Sequence, residues 1–132
     1  MSYAGDITPA EAWKLLADNP DAVLVDVRSE AEWRSVGVPD LSGLGRDAVF
    51  LQWNTSDGRH NDNFVSELLA QVPVSDTDRP VMFLCRAGSR SIPAAAAATG
   101  AGLAPAYNIV GGFEGAPGGP GWVAVGLPAR QG

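Results

Sequence analysis

One segment of the chain combines a residue type used in nucleophilic catalysis with residue types used in anion binding. It reads Phe83-Leu84-Cys85-Arg86-Ala87-Gly88-Ser89-Arg90-Ser91 and contains the only cysteine among 132 residues. A thiolate is a strong nucleophile, and a guanidinium can bind an oxyanion through two parallel hydrogen bonds. The small residues Ala87, Gly88 and Ser89 allow a tight turn whose N–H groups can converge on one point. We therefore predict a nucleophilic thiolate at Cys85, favoured over the thiol by an anion-binding loop at residues 86–90.

The predicted elements around this segment place the cysteine between a strand and a helix. Residues 80–84 are apolar and predict a buried strand, and residues 91–99 are alanine-rich and predict a helix. Sites in open α/β sheets form at the carboxyl ends of strands, and helix N-termini favour anions. A lone cysteine after an apolar strand is often an inert core residue. The two arginines and the helix start contribute nothing to such packing, so this context favours a catalytic Cys85.

Charge and composition restrict the function classes. The net charge is −6, but residues 79–113 carry Arg79, Arg86 and Arg90 without any Asp or Glu, which leaves −9 for the remainder. An acidic chain with a local cationic segment disfavours general nucleic-acid or membrane binding. One cysteine and one histidine, His60 in a polar loop, exclude an intramolecular disulfide and a multi-cysteine metal site. We predict no metal, no organic cofactor, no nucleic-acid partner and no membrane partner, in a cytoplasmic protein without a targeting segment.

Alternation of helices and short apolar strands predicts the fold class. The length fits one domain over residues 1–132. Capping boxes at Thr8–Glu11 and Ser29–Glu32 predict two helix starts, and the spacing of apolar residues predicts a helix at 63–72. Further strands are predicted at 22–27 and 48–51, both of them buried, and at 106–110. The pattern predicts an α/β, three-layer domain with a central, mostly parallel sheet flanked by helices on both faces.

Two other features lie outside these regular elements. Residues 111–121 contain six glycines and two prolines, so we predict no helix or strand there. This segment is interpreted either as a mobile lid or as disorder, and Trp122 after it is predicted at the rim of the site. Asp26 and Arg28, at the end of a predicted strand, are interpreted as an ion pair or a capping contact that connects the sheet to neighbouring loops, in preference to a direct role in catalysis.

Three motifs in chain order resemble the rhodanese family of sulfurtransferases. Cys85 and Arg90, with four residues between them, resemble the active-site loop of that family. Residues 24–28 (Leu-Val-Asp-Val-Arg) with Glu32-Trp33 resemble its N-terminal motif, and residues 108–112 (Asn-Ile-Val-Gly-Gly) with Trp122 and 126–128 (Gly-Leu-Pro) resemble its ending. The chain departs from the family at residues 36–39, where Val-Gly-Val-Pro lacks the usual histidine. The resemblance spans nearly the whole chain.

The resemblance implies a specific chemistry. Cys85 would accept a sulfane sulfur as a persulfide and transfer it to cyanide, a small thiol or a protein thiol. The N–H groups of Arg86, Ala87, Gly88, Ser89 and Arg90 would surround the persulfide. Arg86 and Arg90 would bind the anionic end of a thiosulfate-type donor, with Asp26 and Arg28 in supporting positions. The chain is expected to be a monomer or a weak homodimer.

Two alternatives stay open from the sequence. Cysteine phosphatases share the cysteine-to-arginine loop but place five residues between the two, and the four in this chain favour sulfur transfer. A binding, regulatory or persulfide-carrier module with the same fold would receive sulfur from a partner without turning over a free donor.

Overall fold

A five-stranded parallel sheet with helices on both faces forms the centre of the molecule. The computed structural model describes residues 2–132. The sheet contains β1 (Gly5–Ile7), β2 (Val23–Asp26), β4 (Val49–Phe50), β5 (Val81–Leu84) and β6 (Ala106–Ile109), in the order β1-β6-β5-β2-β4. Two short strands, β3 (Val38–Pro39) and β7 (Ala129–Arg130), form a separate antiparallel ribbon. The helices are α1 (Pro9–Asp18), α2 (Glu30–Val36), α3 (Phe64–Gln71) and α4 (Ser91–Gly100), with a 3-10 turn at Ser42–Leu44.

Side-chain alternation along β5 divides the core into two layers. Successive side chains of a strand point to opposite faces of the sheet. Val81 and Phe83 therefore pack with α3 and α4, and Met82 and Leu84 pack with α1 and the C-terminal segment. β5 is buried at every position because both of its faces are covered. The predicted α/β class with a parallel central sheet is confirmed.

Both predicted helix starts are confirmed as capping boxes. The Thr8 side chain accepts a hydrogen bond from the Glu11 backbone N–H, and the Glu11 carboxylate accepts one from the Thr8 N–H. Ser29 and Glu32 repeat this arrangement at the start of α2. Each box satisfies N–H groups that a helix end otherwise leaves unpaired. Among residues 2–132, no helix has the length and apolar character needed to cross a membrane.

The sequence pattern did not predict the shortest strands correctly. The prediction of a buried strand at 48–51 is wrong in detail, because β4 is a two-residue edge strand with half-buried side chains. β1, β3 and β7 were not predicted. Two or three residues are too few to show a periodicity, and these strands form because a partner strand offers free N–H and C=O groups.

The glycine-rich segment has no helix or strand, as predicted, but it packs closely against the sheet. Phe113 and Trp122 at its two ends are 1% and 0% exposed. The prediction of Trp122 at the rim of the site is wrong. Its ring packs on Trp13 of α1 at 5.9 Å between centroids, and its Nε1–H donates to the Pro128 carbonyl. A buried indole thus anchors the segment on the face opposite α3 and α4.

Candidate active site

Cys85 lies immediately after β5, the central strand of the sheet, and its side chain is fully buried. The sulfur accepts a hydrogen bond from the Gly88 N–H at 3.1 Å and lies 3.1 Å from the Ser91 hydroxyl. Gly88 has φ +98°, which a residue with a side chain adopts only with strain. The loop therefore folds back over the sulfur at Gly88.

The loop after Cys85 holds a set of N–H groups with no acceptor. The amides of residues 86, 87, 89 and 90 donate to no acceptor among residues 2–132, whereas the Gly88 amide binds the sulfur. The expectation that the N–H groups of residues 86–90 surround a persulfide stays a prediction, and without the added sulfur atom one of the five binds Sγ. Free N–H groups beside a thiol can bind an additional anionic atom placed on the sulfur.

Gly112 supports the loop from beneath by close backbone contact. A Cβ at this position would lie 2.4 Å from the Cys85 carbonyl oxygen and 2.6 Å from the Arg86 carbonyl carbon. The Phe113 N–H donates to that Cys85 carbonyl at 2.8 Å. Gly112 also has φ +56°, in the left-handed region. Only glycine allows the glycine-rich segment to approach the cysteine loop at this distance.

Substitution Gly112→Ala is expected to destabilise the protein by about 2–4 kcal/mol, because the strain of a left-handed alanine adds to a clash with backbone atoms. The cysteine loop must shift to relieve the clash, so persulfide formation should slow as well. Urea denaturation and intact-mass spectrometry measure the two effects. Gly118→Ala is the matched control in the same segment, since a Cβ there meets nothing within 4 Å. Equal stability of both variants would contradict the contact.

A chain of polar groups, buried at Ser91 and Asn108 and exposed at Asp6, connects the sulfur to β1 at the edge of the sheet. The Ser91 hydroxyl donates to Asn108 Oδ1, and Asn108 Nδ2 donates to Asp6 Oδ1 at 3.0 Å. The pairing of β1 with β6 brings Asp6 opposite Asn108. Because Ser91 has one proton and gives it to Asn108, the Ser91 oxygen faces the Cys85 sulfur at 3.1 Å without a proton of its own between them. The sequence analysis missed this chain, although a polar Asn108 within an apolar strand was a usable signal.

Arg90 does not point freely into solvent but binds a carboxylate. Its two terminal nitrogens donate to Glu32 Oε1 and Oε2 at 2.7 and 2.8 Å, and both side chains are about three-quarters buried. Partial burial by itself raises the pKa of Glu32, but hydrogen bonds from Arg90 and from the Ser29 amide outweigh it and lower the pKa to about 2. The same pairing raises the pKa of Arg90 above its ordinary value. Glu32 thus caps α2 and fixes the arginine of the loop.

Glu32→Gln is expected to lose a stability contribution that depends on pH. A carboxyl whose folded pKa is about 2, against 4.5 for the free group, stabilises the fold fully above pH 4.5 and loses this effect as the pH falls toward 2. We expect a difference from the wild type of roughly 1–2 kcal/mol at pH 7, reduced for partial solvent exposure, that shrinks below pH 4.5. Urea unfolding at several pH values measures it.

Glu30→Gln is the control for this prediction, because it removes a carboxylate from an exposed pair with Arg34 on the same helix. A difference between Glu32→Gln and the wild type that stays constant from pH 7 to pH 3 would contradict the proposed role of the buried pair.

Arg86 is paired as well, and the third arginine of the cationic segment lies elsewhere. Arg86 Nε is 3.3 Å from Glu114 Oε2, with exposed fractions of 66% and 31% for the two side chains. Arg79 precedes β5 and donates to the Pro73 carbonyl, so it lies at the end of β5 opposite to Cys85. The expectation of a local charge of +3 around the loop is therefore wrong. Arg79 and Arg86 are close in the sequence, but β5 lies between them, so its full length separates the two charges in space.

Asp26 and Arg28 form a fully buried ion pair beside the site. Arg28 Nη2 lies 2.7 Å from Asp26 Oδ2, both side chains are 0% exposed, and Nη2 also donates to the Gly37 carbonyl. The guanidinium stacks on the Phe113 ring with its Cζ 4.1 Å from the centroid. Neither group forms a hydrogen bond with Cys85 among the described residues. The pair connects β2 with the start of β3 and with the glycine-rich segment.

His60 lies away from this arrangement. It is exposed in the loop after β4, where its ring meets the edge of Trp53 at 4.5 Å between centroids. The residues that the sequence analysis did not assign to the site are Glu32, Gly112 and Glu114, together with Ser91 and Asn108. A loop arginine needs an anionic partner when half-buried, so Glu32 was the most accessible of these to sequence reasoning.

Comparison with known proteins agrees with this fold. A solved rhodanese-like domain protein from Staphylococcus aureus superimposes with a TM-score of 0.60 at 19% identity, covering 96% of this chain and 98% of that one. The crystal structure of Rv0390 from M. tuberculosis superimposes with a TM-score of 0.91 at 63% identity, covering 99% and 100%. The thiosulfate sulfurtransferase GlpE of Actinobacillus succinogenes is 30% identical over 93% of this chain and 87% of its own length.

The parallel sheet flanked by helices is the fold of a rhodanese-like domain. The model of the STR4 middle domain matches residues 5–131 of this chain. The chain belongs to that family and, with it, to the rhodanese-like proteins.

Proposed function

We propose that the protein is a sulfurtransferase that moves a sulfane sulfur through a persulfide on Cys85. The Cys85 thiolate attacks the outer sulfur of a thiosulfate-like donor, the S–S bond of the donor breaks, and sulfite leaves with the electron pair. The outer sulfur of the persulfide is then attacked by cyanide or by a thiol. Thiocyanate or a new persulfide leaves, and the Cys85 thiolate is regenerated.

The free amides of the loop carry this proposal. A persulfide adds one anionic sulfur atom beyond Sγ, and four N–H groups without an acceptor lie on the loop that encloses Sγ. Fixed backbone donors that meet charge as it develops are an effective form of catalysis. Arg86 and Arg90 would attract and orient the anionic donor. The relation to a thiosulfate sulfurtransferase supports the same donor class.

One observation favours a second candidate function, a persulfide carrier loaded by a partner protein. Cys85 is 0% exposed, so a donor can reach the sulfur only when the loop opens. A carrier would gain protection of its persulfide from this burial. A free-standing enzyme would instead open the loop without a partner. Steady-state thiocyanate formation from thiosulfate and cyanide distinguishes the two, because the carrier would accept sulfur without sustained turnover.

Mass spectrometry of the intact protein after incubation with thiosulfate tests the proposal. We expect a mass increase of one sulfur atom, which disappears on addition of cyanide as thiocyanate appears. The assay is unambiguous because Cys85 is the only cysteine. Hydrolysis of an aryl phosphate in a protein that forms no persulfide would overturn the proposal in favour of a phosphatase.

A further inference from the structure

Two carboxylates balance the two arginines of the cysteine loop. Arg90 is bound by Glu32 and Arg86 by Glu114, so the four side chains carry no net charge at neutral pH. Arg79, the remaining cation of that segment, precedes β5 at the far edge of the sheet. A dianionic donor at the loop therefore meets two cations and two fixed anions rather than an excess of positive charge.

Glu114 is tied to the loop by its backbone. Its N–H donates to the Arg86 carbonyl at 2.9 Å, directly after the Phe113 N–H donates to the Cys85 carbonyl. The close approach at Gly112 lets the glycine-rich segment and the cysteine loop lie in backbone contact. The Glu114 side chain is 31% exposed while the Arg86 side chain is 66% exposed. The backbone contact thus keeps Glu114 beside the loop, and the arginine is the more exposed member of the pair.

We propose that Glu114 sets the charge of the sulfur donor that this site accepts. The inference rests on the proposed sulfur transfer and specifies the donor class. Glu114 forms an ion pair with Arg86 and repels an approaching anion. This repulsion grows in proportion to the charge of the donor. Monoanionic donors, such as thiosulfonates and persulfide anions, are favoured by Glu114 over the thiosulfate dianion. Glu114 acts through Arg86 and through its field, and does not contact the reacting sulfur.

Two donors with the same reactive group separate the effect of charge from that of shape. Thiosulfate (²⁻) loads Cys85 and releases sulfite (²⁻), while the methanethiosulfonate anion CH₃SO₂S⁻ loads Cys85 and releases methanesulfinate (⁻). Each reaction breaks one S–S bond in the donor and forms one S–S bond on the Cys85 thiolate, without any oxidant or reductant. The leaving groups differ by one charge and by a methyl group in place of an oxygen.

The test is single-turnover persulfidation of Glu114→Gln at increasing donor concentrations. We expect the half-saturating concentration of thiosulfate to fall about threefold to tenfold, because one nearby negative charge is removed. For methanethiosulfonate we expect the square root of that factor, since the donor carries half the charge. The maximal loading rate should stay within about twofold of the wild type, because glutamine keeps the backbone contacts and the loop geometry.

Asp18→Asn provides the matched control. Asp18 forms an exposed pair with Lys14 at 3.0 Å at the end of α1, on the edge of the sheet where the strands begin. This variant removes the same charge far from Cys85, and it should bind both donors like the wild type. An unchanged thiosulfate concentration dependence in Glu114→Gln, or equal changes for both donors, would overturn the inference. Absence of persulfide in the wild type with either donor would instead overturn the proposed function.

Discussion

Cys85→Ser is expected to remove persulfide formation completely and to lower thiocyanate production by at least about 10³-fold, to the uncatalysed background. A serine hydroxyl is a much weaker nucleophile toward sulfur and cannot store a sulfane sulfur. The substitution itself is nearly isosteric, and the Gly88 N–H and the Ser91 hydroxyl keep a hydrogen-bonding partner. Intact-mass spectrometry and a colorimetric thiocyanate assay measure the two losses.

Stability is the control for this variant. Urea denaturation should place Cys85→Ser within about 1–2 kcal/mol of the wild type, since a small buried polar group with partners replaces the thiol. A folded Cys85→Ser protein that still produces thiocyanate at the wild-type rate would refute the assignment of the nucleophile. No second cysteine is present in the sequence to substitute for it.

Arg28→Met is expected to cause the largest loss of stability, about 3–5 kcal/mol, or roughly 10–20 °C in the melting temperature. The variant leaves the Asp26 carboxylate buried with one backbone N–H, from residue 28, as its remaining hydrogen-bond donor among the described residues. It also removes the donor to the Gly37 carbonyl and the cation stacked on Phe113. Thermal and urea unfolding measure the effect.

Two further variants show whether the cost comes from an unpaired buried charge. Lys14→Met breaks an ion pair of which both members are largely exposed, and it should change stability by about 0.5 kcal/mol or less. The double variant Asp26→Asn, Arg28→Met removes both charges and should recover part of the loss. If Arg28→Met resembled Lys14→Met, the buried pair would not be stabilising the junction between β2, β3 and the glycine-rich segment.

The position of Cys85 explains why these two variants should differ so strongly in their effects. The thiol follows the central strand of a sheet covered on both faces, so the scaffold tolerates a change of one atom there. The Asp26–Arg28 pair lies one strand away, where Asp26 is in register with Leu84 of β5. The proposed sulfur transfer therefore depends on one sulfur atom, and we expect the backbone around it to depend on the buried Asp26–Arg28 pair.

The sequence predicted those features that local pattern and chemistry control. The apolar run of β5, the capping boxes of α1 and α2 and the alternation of elements were enough for the α/β class. The order strand, cysteine, small residues, arginine also predicted a loop at the carboxyl edge of the sheet. These signals are reliable because they depend on neighbours along the chain or on the pairing of long elements.

The tertiary structure alone determined the electrostatics and the packing of the site. Arg90 and Glu32 are 58 residues apart, and their pairing depends on how α2 lies across the edge of the sheet. Glu114 reaches Arg86 because Gly112 permits two backbone segments to touch, a contact that composition does not reveal. Trp122, predicted at the rim of the site, is buried instead, because it packs against Trp13 of α1 on the face of the sheet opposite α3 and α4.

The sequence by itself thus determined which atom is the candidate nucleophile, since the one cysteine stands between a strand and a helix with an arginine five positions after it. What it left undetermined was the field around that atom. A charge count along the chain suggested an excess of +3, whereas the folded protein pairs two of those arginines with acids and moves the third to the other edge. Coulomb interactions depend on distance in space, and only the fold determines that distance.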